Sequence, residues 1–60
     1  MNVNYVVYGL NGCGVIEGYL SEQEEKQGIE RMKTHGWVVI SYNGTLECAR
    51  KAMQIYEDEN

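Results

Sequence analysis

The chain has 60 residues and a net charge of −4 at pH 7, with 43% hydrophobic and 23% charged residues. This length and composition predict one small folded domain, residues 1–60, and exclude a disordered chain. The negative charge opposes binding to nucleic acid and to anionic membranes, and it favours protein partners with a basic surface.

A domain of this size has little core to stabilise it, since it buries only about 60% of the surface that its unfolded chain exposes. Two cysteines, Cys13 and Cys48, are too few for a disulfide scaffold. Self-association is the remaining common solution, so we expect a homodimer. The sequence shows no secretory leader and no apolar run of membrane-spanning length, and we expect a cytoplasmic protein.

Two segments at the start of the chain have strand character. Residues 3–10 and 15–20 are rich in β-branched and aromatic side chains, and Asn11-Gly12 lies between them. Asn-Gly favours a tight hairpin turn, because both residues tolerate the positive φ that a type I′ turn requires. The pattern predicts a β-hairpin.

A helix is predicted over residues 22–35. Ser21 and Glu24 have the spacing of a capping box, in which both side chains accept N–H groups that a helix start leaves unpaired. Carboxylates in the first turn and cations in the last turn complement the helix dipole. Gly36 is placed to end the helix.

The second half of the chain repeats this order of strand and helix. Residues 37–42 are bulky and β-branched, which predicts the clearest strand of the chain. Thr45 can then cap a second helix, along which apolar residues recur every three or four positions. We expect the last residues, 57–60, to fray.

The predicted order ββαβα indicates an α/β (α+β) fold, a two-layer sandwich with a three-stranded, mainly antiparallel sheet and two helices on one face. Large apolar side chains alternate onto both sheet faces, so one apolar face would stay uncovered. We therefore predict that the homodimer forms through a sheet face or edge. The candidate residues of this interface are Tyr5, Val7, Tyr19 and Val39.

The sequence gives no sign of catalysis, of a cofactor or of a metal site. The glycines between residues 9 and 18 lack the spacing of phosphate-binding loops, and a strand follows them where a helix is needed. His35, Cys13 and Cys48 lack the short paired spacing of zinc ligands and the local signatures of catalytic cysteines. We expect a protein that is not an enzyme.

Two acidic clusters have both a structural and a functional explanation. In the structural explanation, the cluster at residues 22–25 complements the dipole at the start of the first helix, and the cluster at residues 57–59 is a solvated tail. If the two helices lie side by side, the clusters would form one negative face that docks into a basic protein groove. The candidate docking residues are Glu22, Glu24, Glu25, Glu57, Asp58 and Glu59.

One segment resembles part of a known family. Residues 28–45 comprise a predicted helix, the sequence His35-Gly36-Trp37 and a β-branched strand. This order is similar to the helix-glycine-aromatic-strand segment of the HicA-like toxin RNases. That family carries its catalytic His in a Gly-Ser-His motif after this strand, whereas Asn43-Gly44-Thr45 is followed here by Leu46. The resemblance implies a vestigial nuclease-like fold without nuclease activity.

As a whole, the chain looks like the small acidic proteins that phages encode to inhibit host defence systems. This resemblance implies a compact homodimer that blocks a larger host enzyme, one that is basic or handles nucleic acid, by stoichiometric binding. The alternative is a small regulatory or accessory subunit of a larger assembly. Both hypotheses describe a non-enzymatic module whose partner is another protein.

Overall fold

The computed structural model describes residues 3–59, which form three strands and two helices. In chain order they are β1 (Asn4–Leu10), β2 (Cys13–Tyr19), α1 (Glu22–Thr34), β3 (Val38–Asn43) and α2 (Leu46–Asp58). The sheet has the strand order β2-β1-β3, and both pairings are antiparallel. The predicted α+β class, the element order and the antiparallel sheet are confirmed.

The β1–β2 hairpin has the turn that its sequence predicts. Leu10 pairs with Cys13, which leaves a loop of two residues. Asn11 and Gly12 occupy it with φ values of 53° and 84°. Two successive positive φ angles define the type I′ turn, whose twist matches that of the flanking strands.

Local side-chain bonds set the start of each helix, and a glycine ends α1. The Ser21 hydroxyl accepts the Glu24 N–H at 3.2 Å, and the Thr45 hydroxyl accepts the Cys48 N–H at 3.1 Å. α1 ends one residue earlier than predicted, at Thr34, and is followed by Gly36 with φ 92°. Such a left-handed residue stops a helix and lets the chain turn back towards the sheet.

The last turn of α2 contains part of the segment, residues 57–60, for which we predict fraying. α2 continues through Asp58, and Asn60 lies outside the described residues. Two side-chain bonds lie in this last turn. The Glu57 carboxylate accepts the Gly14 N–H at 2.9 Å, and the Gln54 amide donates to Asp58 at 3.0 Å.

The two helices lie on opposite faces of the sheet, so the predicted two-layer arrangement with both helices on one face is wrong. Side chains of successive strand residues point to opposite faces. Gly28 of α1 lies against Tyr19 on one face, whereas Gly9 and Gly14 lie against Tyr56 and Met53 of α2 on the other. The Tyr8 and Tyr19 hydroxyls meet at 2.8 Å, which places Tyr8 on the α1 face and its neighbour Gly9 on the α2 face.

Topology explains this three-layer arrangement. β2 and β3 run parallel on either side of β1, so α1 must cross one face of the sheet to connect them. α2 is then the element that covers the other face of β1. The dimensions agree: three strands at about 4.8 Å spacing account for the smallest extent of 10 Å, and the 26 Å extent accommodates a helix on each side.

The core is therefore divided by the sheet. Val6, Val7 and Tyr8 are successive residues of β1, and each is completely buried. Val6 and Tyr8 pack on the α1 side in a cluster with Tyr19, to which four half-buried residues add, namely Ile29, Met32, Trp37 and Val39. Burial and the hydrogen bond to Tyr19 raise the pKa of the Tyr8 hydroxyl far above its usual range.

Candidate functional site

The residues predicted to form a dimer face do not form one surface. Val7 is fully buried and Tyr19 is only 9% exposed, while Tyr5 and Val39 are half-buried. Tyr5 and Val7 project to the α2 face, and Tyr19 and Val39 pack on the α1 face. These four residues do not form one open face, because each sheet face is covered by a helix of the same chain.

The exposed apolar side chains of the sheet lie instead along one of its edges. Val38 is 60% exposed, Ile40 36% and Tyr42 62%. We call these three residues the β3 strip. The alternation of apolar and polar residues in the sequence does not identify them. It indicates the sheet face to which a side chain points, but not which strand forms an edge of the sheet.

The two acidic clusters lie at opposite ends of the molecule. The Glu24 carboxylate accepts the N–H of Leu20, just after β2, at 3.3 Å. The Glu57 carboxylate accepts the N–H of Gly14, near the start of β2, at 2.9 Å. These two anchor points are six positions apart along the chain, which corresponds to about 20 Å of extended strand. The predicted single negative face is therefore wrong, since its condition that the helices lie side by side is not met.

The clusters also differ in their relation to the helices that carry them. Glu22, Glu24 and Glu25 lie in the first turn of α1, where carboxylates stabilise the helix dipole. Glu57, Asp58 and Glu59 lie at the end of α2, where the dipole is negative and where no basic residue accompanies them. We call these three residues the acidic end. Helix stability explains the first cluster and does not explain the acidic end.

Part of the acidic end has a structural role at the hairpin. Glu57 accepts the Gly14 N–H at 2.9 Å, and the Tyr56 hydroxyl accepts the Gly12 N–H at 3.2 Å. These bonds hold the β1–β2 turn against the last turn of α2. Asp58 and Glu59 make no such bond to the sheet and are exposed, which leaves them accessible to a partner.

The thiols and the imidazole that the sequence singled out are spread over the molecule. Cys13 begins β2, Cys48 lies in the first turn of α2, and His35 follows α1; all three side chains are exposed. Among residues 3–59, no group of three or more His, Cys, Asp or Glu side chains is arranged to hold a metal ion. Neither helix in this part of the chain is long and apolar enough to cross a membrane.

No family model, curated protein or solved structure matches this chain. The described residues form the surface on which a partner would bind. That surface has two unusual features, the acidic end and the β3 strip. They lie on different elements, and each departs from what the stability of the fold alone requires.

Proposed function

We propose that this chain is a non-enzymatic protein-binding module that docks onto a basic surface of a larger protein. The observation that carries the proposal is the acidic end, three consecutive carboxylate residues at the negative end of the α2 dipole. The proposed module acts by occupying its partner's surface.

Electrostatics gives the physical reason. Each carboxylate at a helix C-terminus lowers the stability of the helix by about 0.3–1 kcal/mol. Lys or Arg side chains of a partner placed beside the carboxylate offset this loss. The net charge of −4 adds long-range attraction, which speeds encounter with a basic protein and opposes encounter with nucleic acid. Glu57 also bonds to Gly14, but Asp58 and Glu59 are exposed at the negative end of the dipole, and recognition explains them better than folding does.

The form of the module that we propose is a homodimeric, cytoplasmic, phage-type inhibitor of a host enzyme that is basic or handles nucleic acid. An accessory subunit would bind a basic partner through the same surface but leave the partner's activity intact. A vestigial nuclease gains no support from the residues after β3, because Thr45 caps α2 through its hydroxyl.

Charge reversal at the acidic end tests this proposal. The variant Asp58→Lys/Glu59→Lys leaves the Glu57 bond to Gly14 in place, and we expect it to lose the partner that the wild type captures from a bacterial lysate. The matched control, Glu22→Lys/Glu25→Lys, makes the same charge change on α1 and should keep that partner. Equal capture by the wild type and the Asp58/Glu59 variant would reject the proposal. An assay of the captured partner's activity then separates an inhibitor from an accessory subunit.

A further inference from the structure

We propose that the β3 edge is a self-association surface, at which a second copy of the chain adds its own β3 antiparallel about a two-fold axis. This inference specifies the surface of the homodimer that the proposed function includes. It uses residues separate from the acidic end, so the two can fail independently.

The two edges of the sheet are protected unequally. At the start of β2, Glu57 accepts the N–H of Gly14, and Tyr56 accepts the N–H of Gly12 in the preceding turn, so side chains of α2 cover this end of the edge. Further along β2, Glu17 adds an exposed charge. Covering helices and charges are the devices with which proteins prevent unwanted strand pairing. β3 contains neither a charged residue nor a proline.

The pairing geometry leaves backbone groups of β3 free to bond outward. The Gly14 N–H donates to Glu57 and therefore points away from β1. Gly14 and its partner Gly9 are thus a non-hydrogen-bonded pair, and the N–H and C=O of Gly9 point towards β3. Backbone N–H and C=O groups alternate in direction along β1, so those of Val6 point towards β2. The residue opposite Val6 on β3 is Tyr42. The N–H and C=O of Tyr42 therefore point away from the sheet, next to a side chain that is 62% exposed.

Area and charge favour a second copy as the occupant. Because the molecule is only 10 Å across its three strands, the side along β3 lies within an outline of 32 × 26 Å, which has room for the roughly 800 Å² that each partner of a standard interface buries. Each chain carries a charge of −4, but β3 itself is neutral, so two copies meet there without like charges in direct opposition. Two-fold pairing also makes the interface self-complementary.

One irregularity shapes this interface. Val7 pairs with Ser41 and Tyr8 with Val39, so Ile40 is an extra residue that forms a bulge in β3. A bulge bends the strand and increases its twist. The regular stretch beyond it, Ser41–Asn43, is where the two copies form backbone hydrogen bonds, and Val38 and Ile40 add apolar contact at its end.

Sedimentation over a dilution series tests the inference. We expect the wild type to sediment at micromolar concentration with twice the 6.9 kDa mass of the chain. Tyr42→Lys places a charge at the pairing site and should raise the dimer Kd by about ten-fold or more. The matched control is Ile55→Lys, because Ile55 is an equally exposed apolar residue, at 59%, but lies on α2; this variant should remain a dimer.

A backbone change separates pairing from any effect on folding. A synthetic chain with an N-methyl group on the Tyr42 amide keeps every side chain and removes one outward donor. It should also raise the dimer Kd by about ten-fold or more, with unchanged circular dichroism. A wild type that is monomeric at every concentration overturns the edge dimer and leaves the acidic-end proposal intact. A dimer that persists in both Tyr42 variants, or growth into larger species, also overturns it.

Discussion

At the scale of single residues, the fold contains a buried pair of tyrosines. The Tyr8 and Tyr19 hydroxyls bond to each other at 2.8 Å within the α1-side core. Tyr8→Phe leaves the Tyr19 hydroxyl without this partner, and we expect a loss of about 1–3 kcal/mol of unfolding free energy in urea titrations. Tyr8→Phe/Tyr19→Phe should lose less than the sum of the two single variants. Additive losses would show that the hydroxyls do not act as a pair.

The same pair gives a pH dependence whose sign follows from burial. Burial and the bond to Tyr19 raise the pKa of Tyr8 in the folded chain, while in the unfolded chain it titrates near its ordinary value of about 10. Above about pH 10 the unfolded chain releases a proton that the folded chain keeps, so this contribution to stability is lost as the pH rises. The urea midpoint should fall more between a pH below 10 and a pH above 10 for the wild type than for Tyr8→Phe. Parallel slopes would contradict the assignment.

Gly28 provides a second residue-scale prediction, because its absent side chain lets α1 lie against Tyr19. Gly28→Ala improves helix propensity by about 1 kcal/mol, yet we expect it to lower the thermal midpoint, since the added methyl group overlaps the tyrosine ring. Gly44→Ala is the control, as its methyl group meets nothing within 4 Å. A Gly28→Ala variant as stable as the wild type would mean that this contact is not tight.

At the scale of the elements, the acidic end makes opposite predictions for stability and for binding. Asp58→Lys/Glu59→Lys replaces carboxylates with cations at the negative end of the α2 dipole. We expect a gain of about 0.3–1 kcal/mol in unfolding free energy at low salt from Glu59→Lys and a smaller gain from Asp58→Lys, which removes the bond from Gln54, together with the loss of partner capture. A variant that loses binding and stability together would indicate damage to the fold instead of a lost contact.

The elements themselves could be predicted because their signals are local. Ser21 and Thr45 cap the helices from one turn away, and Asn11-Gly12 fixes the hairpin turn. The end of α2 also depends on a distant contact. Its last turn is held by the Glu57 bond to Gly14, a contact across 43 residues of sequence that no local pattern contains.

At the scale of the whole molecule, the layer order was mispredicted although the sequence contains a signal for it. The run of Val6, Val7 and Tyr8 is typical of a strand that is covered on both faces. Gly9 and Gly14 allow α2 to approach the face opposite α1. Attributing the second face to a dimer, and not to α2, placed the interface on Val7 and Tyr19. The β3 strip could not be found without the strand order, which is a non-local property.

The central claim, that the chain binds a basic protein through its acidic end, is tested most directly by the salt dependence of affinity. With the partner captured from lysate, Kd is measured by titration calorimetry at increasing salt for the wild type and for Asp58→Lys/Glu59→Lys. We predict that the wild-type Kd rises steeply with salt, because screening weakens attraction between exposed charges, and that the variant binds weakly at every salt concentration. Equal Kd values for the two proteins, or a wild-type Kd that does not change with salt, would contradict the claim.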